Sequence, residues 1–223
     1  MNAAAGDGRA LRDAVIRTAR EMNALGINRG KSGNVSARWR SLAFDGYLIT
    51  PTGMPYADIT ADDIVAMPID GESESTGGTR LPSSEWRFHR DIYRAQAGTS
   101  AIVHTHAPFA TSLACLHRGL PAFHYMVAVA GGKDVRCAPY ATFGTQALSD
   151  HAVAALAGRK ACLLANHGMI ATGTSLGAAL AVAVEVETLA EMYWRALQIG
   201  EPVLLSDDEM DVVIARFRTY GQR

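Results

Sequence analysis

Cysteine is scarce in this chain: Cys115, Cys137 and Cys162 are three among 223 residues, far apart and odd in number. Such usage argues against a disulfide framework and against a cysteine-built zinc site. Their apolar surroundings lead us to expect buried free thiols in a reducing compartment, which points to the cytoplasm. Concentrated charge is missing as well. With 21 Lys and Arg against 22 Asp and Glu, the net charge is -1 and no basic stripe or patch stands out. Nucleic acid is therefore not an expected partner, and any anionic ligand must be small and held locally. No apolar run reaches the ~20 residues of a membrane span; the one beginning at Leu176 is interrupted by Glu185 and Glu187. The opening Met-Asn-Ala-Ala-Ala-Gly-Asp-Gly shows neither a basic start followed by an apolar stretch nor a cleavage pattern, so neither export nor insertion is expected. Internal repeats are absent, and no linker is long enough to separate one domain from another.

What remains is a chain 48% hydrophobic and 19% charged, enough to bury one sizeable core, and we expect a single domain over residues 1–223. Leu11, Val15, Ala19 and Met22 recur at helical spacing, and Gly26 can close that helix in the left-handed conformation. Strands are predicted over 34–39, 46–50 and 64–69, followed by a polar loop over 72–79. Ser83 or Ser84 can cap a helix running to about residue 97, and 101–104 returns as a strand. Another helix centres on Leu148, Ala152, Ala155 and Leu156 and closes at Gly158. Residues 161–165 and 169–172 read as a β-hairpin with His167 at its tip. A long Ala-rich helix over 176–199 follows, and Ser206-Asp207-Asp208-Glu209 is a capping box opening a last helix that ends before Tyr220-Gly221. The regular alternation of a doubly wound fold is missing, so the pattern predicts an α/β or α+β protein with helices packed on a sheet.

The chemistry concentrates in a few places. His104 and His106 end an apolar run two residues apart, which puts both imidazoles on one face only if the backbone is extended, since on a helix they would diverge by ~200°. Such a pair is either half of a metal site awaiting a third ligand or a polar pair at a strand end. Pro82-Ser83-Ser84-Glu85 sets two hydroxyls and a carboxylate at a helix start, either an anion cradle beside an acid/base or a simple cap. Ser32-Gly33-Asn34 and Thr50-Pro51-Thr52-Gly53 are small polar turns able to offer donors to a phosphate, though such turns often only reverse the chain. Tyr125 is a candidate proton donor or a buried phenol with one partner. His89, His117 and His151 read as structural or surface residues.

Taken in order, these segments resemble the class II aldolase/adducin family. The motifs are Ser-Gly-Asn-Val-Ser at 32–36, Ile-Thr-Pro-Thr-Gly-Met-Pro-Tyr at 49–56, Leu-Pro-Ser-Ser-Glu-Trp-Arg-Phe-His at 81–89, the His104/His106 pair and His167-Gly168. His-Tyr-Met at 124–126, Cys-Ala-Pro-Tyr-Ala-Thr-Phe-Gly-Thr at 137–145 and Phe-Arg-Thr-Tyr-Gly at 217–221 are similar to the L-fuculose-1-phosphate aldolase branch. The resemblance implies a three-layer α/β fold, a largely antiparallel central sheet with helices on both faces, assembled as a homotetramer with sites at subunit interfaces. It implies a zinc ion, or another divalent transition metal, on His104, His106 and His167, with Glu85 approaching the metal and serving as acid/base. Gly33, Asn34, Thr52, Gly53, Ser83 and Ser84 match phosphate-binding positions, and Tyr125 matches a catalytic tyrosine reaching the aldehyde part of the substrate. Phe143, Phe217 and Tyr220 match lid or aldehyde-pocket positions. The implied reaction is cleavage of a deoxyketose 1-phosphate, of the L-fuculose or 5-deoxyribulose type, to dihydroxyacetone phosphate and an aldehyde. A pentulose-phosphate 4-epimerase, a methylthioribulose-1-phosphate dehydratase and a sugar-acid phosphate decarboxylase are alternatives on the same scaffold. A non-catalytic adducin-like module is the alternative of another class.

Overall fold

The computed structural model describes residues 8–42, 44–70 and 80–217; the loop expected over 72–79 and Tyr220 lie outside them. The first helix, α1 (Arg9–Ala24), buries Val15, Ile16, Ala19 and Met22 along one stripe, and Gly26 follows at φ 75°, the left-handed turn anticipated for its end. Strands β1 (Asn34–Arg40), β2 (Asp45–Ile49) and β3 (Val65–Pro68) come next, then α2 (Trp86–Ala95), β4 (Ala101–Thr105) and α3 (Pro108–Cys115). After a 3₁₀ turn over Tyr125–Ala130 come β5 (Arg136–Ala138), α4 (Gln146–Ala155), β6 (Ala161–Leu164), β7 (Gly168–Gly173), α5 (Leu176–Ile199) and α6 (Asp207–Phe217).

The strands form one seven-stranded sheet in the order β3-β2-β1-β4-β7-β6-β5. Every neighbouring pair is antiparallel except β5 and β6. Side chains alternate across it at period two. Val35, Ala37, Val103, Met169 and Ala171 enter a core shared with residues of α1, α3 and α5. Ile102, Cys162, Leu164 and Ile170 enter a second core with residues of α2 and α4. This is the three-layer, largely antiparallel arrangement expected. Among the described residues no helix is long and apolar enough to cross a membrane.

Three expectations need correction. The helix anticipated from Ser83 or Ser84 begins only at Trp86, because the Ser83 N–H is drawn to Thr50 O at 3.0 Å in a strand-like bridge. Ser83 Oγ instead accepts the Glu85 N–H at 3.3 Å. Of the cysteines only Cys162 is buried; Cys137 is half-buried, and Cys115 is exposed, since the buried face of α3 is carried by Ala110, Leu113 and Ala114. Finally, α3 and β5 were not foreseen. They are eight and three residues long, too short for periodicity to show. The first turn of α3 is secured by Glu187 of α5, which accepts the Phe109 and Ala110 N–H groups, each at 2.8 Å, and so anchors the chain just beyond His106.

Candidate active site

His104 shares the α2 side of the sheet with Ile102, as strand alternation requires. His106 follows one step beyond the end of β4, and Pro108 then opens α3. The third imidazole arrives from the β6–β7 hairpin, whose loop of residues 165–167 turns through Asn166 at φ 54°. That turn is held by Asn166 N–H to Ala114 O at 3.1 Å and by a 2.6 Å contact between His117 Nε2 and Asn166 Oδ1. His117 is thus structural, as expected. The three rings meet edge-on, with centroids 5.1, 4.8 and 5.0 Å apart, and their ligand atoms all lie within 4.8 Å of one another. His104 Nδ1 lies 2.9 Å from Met169 O. A carbonyl only accepts, so Nδ1 carries the proton and Nε2 presents its lone pair to the site.

Glycine makes this convergence possible. A Cβ on Gly168 would stand 2.6 Å from Thr105 O and 3.0 Å from His106 Cδ2, so the hairpin loop could not close on the end of β4. Gly168→Ala is expected to separate His106 from His167 and weaken affinity for a divalent metal ~10-fold or more, as disturbing a ligand's supporting contacts does. Metal titration of the two proteins checks this; equal affinities would mean that the turn relaxes freely.

Glu85, 5% exposed, sits immediately before α2 and aims between two of the rings. Its Oε2 is 3.1 Å from His104 Nε2 and its Oε1 3.1 Å from His167 Nε2, and Asn34 Nδ2 donates to Oε2 at 2.9 Å. Burial pushes the carboxyl up, whereas positive charge on His104 and His167, when they are protonated, pulls it well below the usual carboxylate range. His106 is driven down to about 4, first by burial and then by the neighbouring histidines. It is therefore neutral near pH 7. Its buried Nε2 has no hydrogen-bond partner among the described residues. An orphaned lone pair of this kind, beside two further imidazoles and a carboxylate, suits a borderline divalent ion with positions left for a ligand.

Of the small polar turns, those carrying Ser32 and Ser84 border this cluster, and the Thr52 turn is tied to the second of them. Val35 N–H donates to Thr50 Oγ1 at 3.2 Å, Thr50 N–H to Val35 O at 3.1 Å, and Thr52 N–H to Leu81 O at 3.1 Å. The segments carrying Gly33, Thr52, Gly53, Ser83 and Ser84 are thereby laced together. Gly33 has no room for a side chain, since a Cβ would lie 2.5 Å from His104 O. Asn34 faces otherwise than a phosphate role suggests: its amide is occupied by Glu85 and by His89, leaving only its backbone to an anion. A cleft of about 260 Å³ opens over the site, lined by Ser32, Ser84, Glu85, His106, Tyr140, Ala141, Phe143, Asn166 and His167. Phe143 lies in its wall. Tyr140 was missed, although it stands in the Cys-Ala-Pro-Tyr run that the sequence displays. Tyr125 and Phe217 are not brought to this cleft; with Met126, Val212 and Arg216 they line another, of about 550 Å³.

A family model, the Class II Aldolase and Adducin N-terminal domain, matches residues 13–194. The chain belongs to this family. The 5-methylthioribulose-1-phosphate/5-deoxyribulose-1-phosphate aldolase of Rhodospirillum rubrum is 58% identical over 212 residues, covering 95% of this chain and 93% of that protein. The L-fuculose phosphate aldolase of Escherichia coli K12 is 50% identical over 210 residues, 94% of each. A solved structure of an L-fuculose 1-phosphate aldolase superposes with a TM-score of 0.87 at 41% identity, covering 94% of this chain and 96% of that one. With its imidazoles and Glu85 in place, the chain is a class II aldolase, a metal-dependent lyase.

Proposed function

We propose that the protein, acting as one class II aldolase domain, cleaves a deoxyketose 1-phosphate of the 5-deoxyribulose or L-fuculose type to dihydroxyacetone phosphate and an aldehyde. The observation that carries this reading is the convergence of His104, His106 and His167 with Glu85, in a cleft lined also by Ser32 and Ser84 of the polar turns. His104, His106 and His167 would hold zinc. Held there, it would supply a positive charge for the ketose carbonyl and for the three-carbon fragment left when the carbon–carbon bond breaks. The turns carrying Gly33, Thr52, Gly53, Ser83 and Ser84 would bind the phosphate through N–H and hydroxyl donors, orienting the sugar toward the imidazoles. Glu85 would return a proton to the nucleophilic carbon of the fragment, or remove it in the synthetic direction. Phe143 would flank the aldehyde end, and Phe217, which lines the cleft of Tyr125, would reach it only from a neighbouring chain.

An assay of the zinc-loaded protein against a panel of ketose 1-phosphates tests the reading. Dihydroxyacetone phosphate should appear from a deoxyketose 1-phosphate, stop on chelation and return with zinc. A panel yielding none from a fully loaded protein would overturn it, and epimerised, dehydrated or decarboxylated products would assign one of the alternative reactions.

We further propose a ring of four chains in which Tyr125 serves a neighbour's site. Its support is that Tyr125 is 50% exposed and lines a cleft apart from its own chain's imidazoles. Head-to-tail closure would bring each tyrosine to the next site. Mixing Tyr125→Phe and Glu85→Gln chains, each inactive, should then restore activity in hybrid rings. Verified hybrids without recovery, or a fully active monomer in sedimentation, would defeat the arrangement.

A further inference from the structure

Behind Glu85 lies a buried polar chain that neither metal nor phosphate binding requires. Glu85, just before α2, and His89 and Tyr93 within it follow one another at four-residue intervals, while Asn34 and Ser36 share one face of β1. Their side chains interleave. Asn34 Nδ2 donates to Glu85 Oε2 at 2.9 Å; Asn34 Oδ1 meets His89 Nε2 at 2.5 Å; His89 Nδ1 meets Ser36 Oγ at 2.7 Å; and Ser36 Oγ meets Tyr93 Oη at 2.8 Å. All five residues are buried, His89 and Ser36 completely.

The acceptors and donors admit one consistent direction. Asn34 Oδ1 only accepts, so His89 Nε2 carries the ring proton. Burial holds His89 neutral, its pKa pushed down to about 3, and Nδ1 is then a lone pair. Ser36 must donate to it, and Tyr93 to Ser36. Reversing the Asn34 amide would set its oxygen against the ionised Glu85 carboxylate, an acceptor facing an acceptor. Every bond therefore points from Tyr93 toward Glu85. A buried chain in which each of these four bonds has its donor and its acceptor specifies one arrangement of its members.

We propose that His89 is a positioning residue of the active site: by pinning the Asn34 amide, it holds the Glu85 carboxylate in the orientation from which the substrate's proton is moved. The Asn34 side chain then belongs to the acid/base machinery, its backbone alone being left to the phosphate site. The inference rests on Glu85 acting as the base.

Two variants of the full-length zinc protein separate this role from simple packing. His89→Leu removes the donor to Asn34, whereas His89→Gln places an amide N–H near the position of Nε2. The Leu variant should retain zinc stoichiometry and KM. Its kcat, and its proton exchange at the nucleophilic carbon of dihydroxyacetone phosphate, should fall together by ~10-fold or more, on the scale of lost supporting contacts to a reactive group. The Gln variant should recover most of both. A packing role would lower the melting temperature of both variants and leave turnover per loaded site unchanged. Nitrogen NMR of the wild-type ring, with and without zinc, should show the neutral tautomer protonated at Nε2. A proton at Nδ1, or undiminished exchange in His89→Leu, would overturn the inference. Should the Leu variant fail to fold, Ser36→Ala, which removes the donor to Nδ1, must lower exchange with zinc retained, and unchanged exchange there would be equally fatal. Absence of exchange in the wild type would instead remove Glu85 as the base, a failure of the underlying reading that this comparison keeps distinct.

Discussion

His106→Ala is expected to yield a folded protein without stoichiometric metal and without aldolase activity. The His106 ring is half-buried in the cleft wall, and its Nε2 makes no hydrogen bond among the described residues. Truncating it should therefore cost little stability. It does remove one of three imidazoles, leaving two beside a carboxylate already engaged by Asn34. Loss of the ion should remove several kcal/mol of charge stabilisation, or turnover reduced by about 10³-fold or more. Elemental analysis beside a thermal melt checks both halves. One zinc per chain in the variant would move the metal away from this cluster, and a collapsed melting temperature would make His106 a structural residue.

Glu85→Gln should separate binding from proton transfer. Glutamine has the same shape, its oxygen can accept from Asn34, and its amide can face the imidazoles, so the variant should fold and bind a phosphorylated ligand as before. It cannot accept a proton. Cleavage and exchange at the nucleophilic carbon of dihydroxyacetone phosphate should therefore fall by about 10²–10⁴-fold, the range for removing a general acid/base. Isotope exchange followed by NMR, with ligand affinity measured on the same preparation, distinguishes the two. Near-normal exchange would place the base on another group, and lost affinity would make Glu85 chiefly a binding residue.

Much of the architecture was legible because burial leaves a periodic trace. Val15, Ala19 and Met22 mark α1 every three to four residues, and the apolar runs at 161–164 and 168–173 about Asn166-His167 mark the hairpin. His104 and His106 announced a shared face through their spacing alone. The 83–85 segment misled because a serine before a helix has two competing uses, and the bridge to Thr50 outweighed the cap. Asn34 misled for a related reason: a small polar residue after glycine reads as a turn donor, and nothing adjacent reveals a carboxylate 51 residues away. The polar chain through His89 left only a faint signal, Glu85, His89 and Tyr93 at four-residue intervals.

Local spacing and ordered motifs were enough to read most of the elements, the candidate metal ligands and the family. Only the tertiary structure decided that the hairpin bearing His167 closes on the end of β4, that Glu85 stands between two imidazoles, and that Asn34 turns inward. It also set Tyr125 apart from its own chain's cleft. These are contacts between residues distant along the chain, formed where two sheet faces and a glycine-permitted approach bring them together, and no local periodicity encodes such distances.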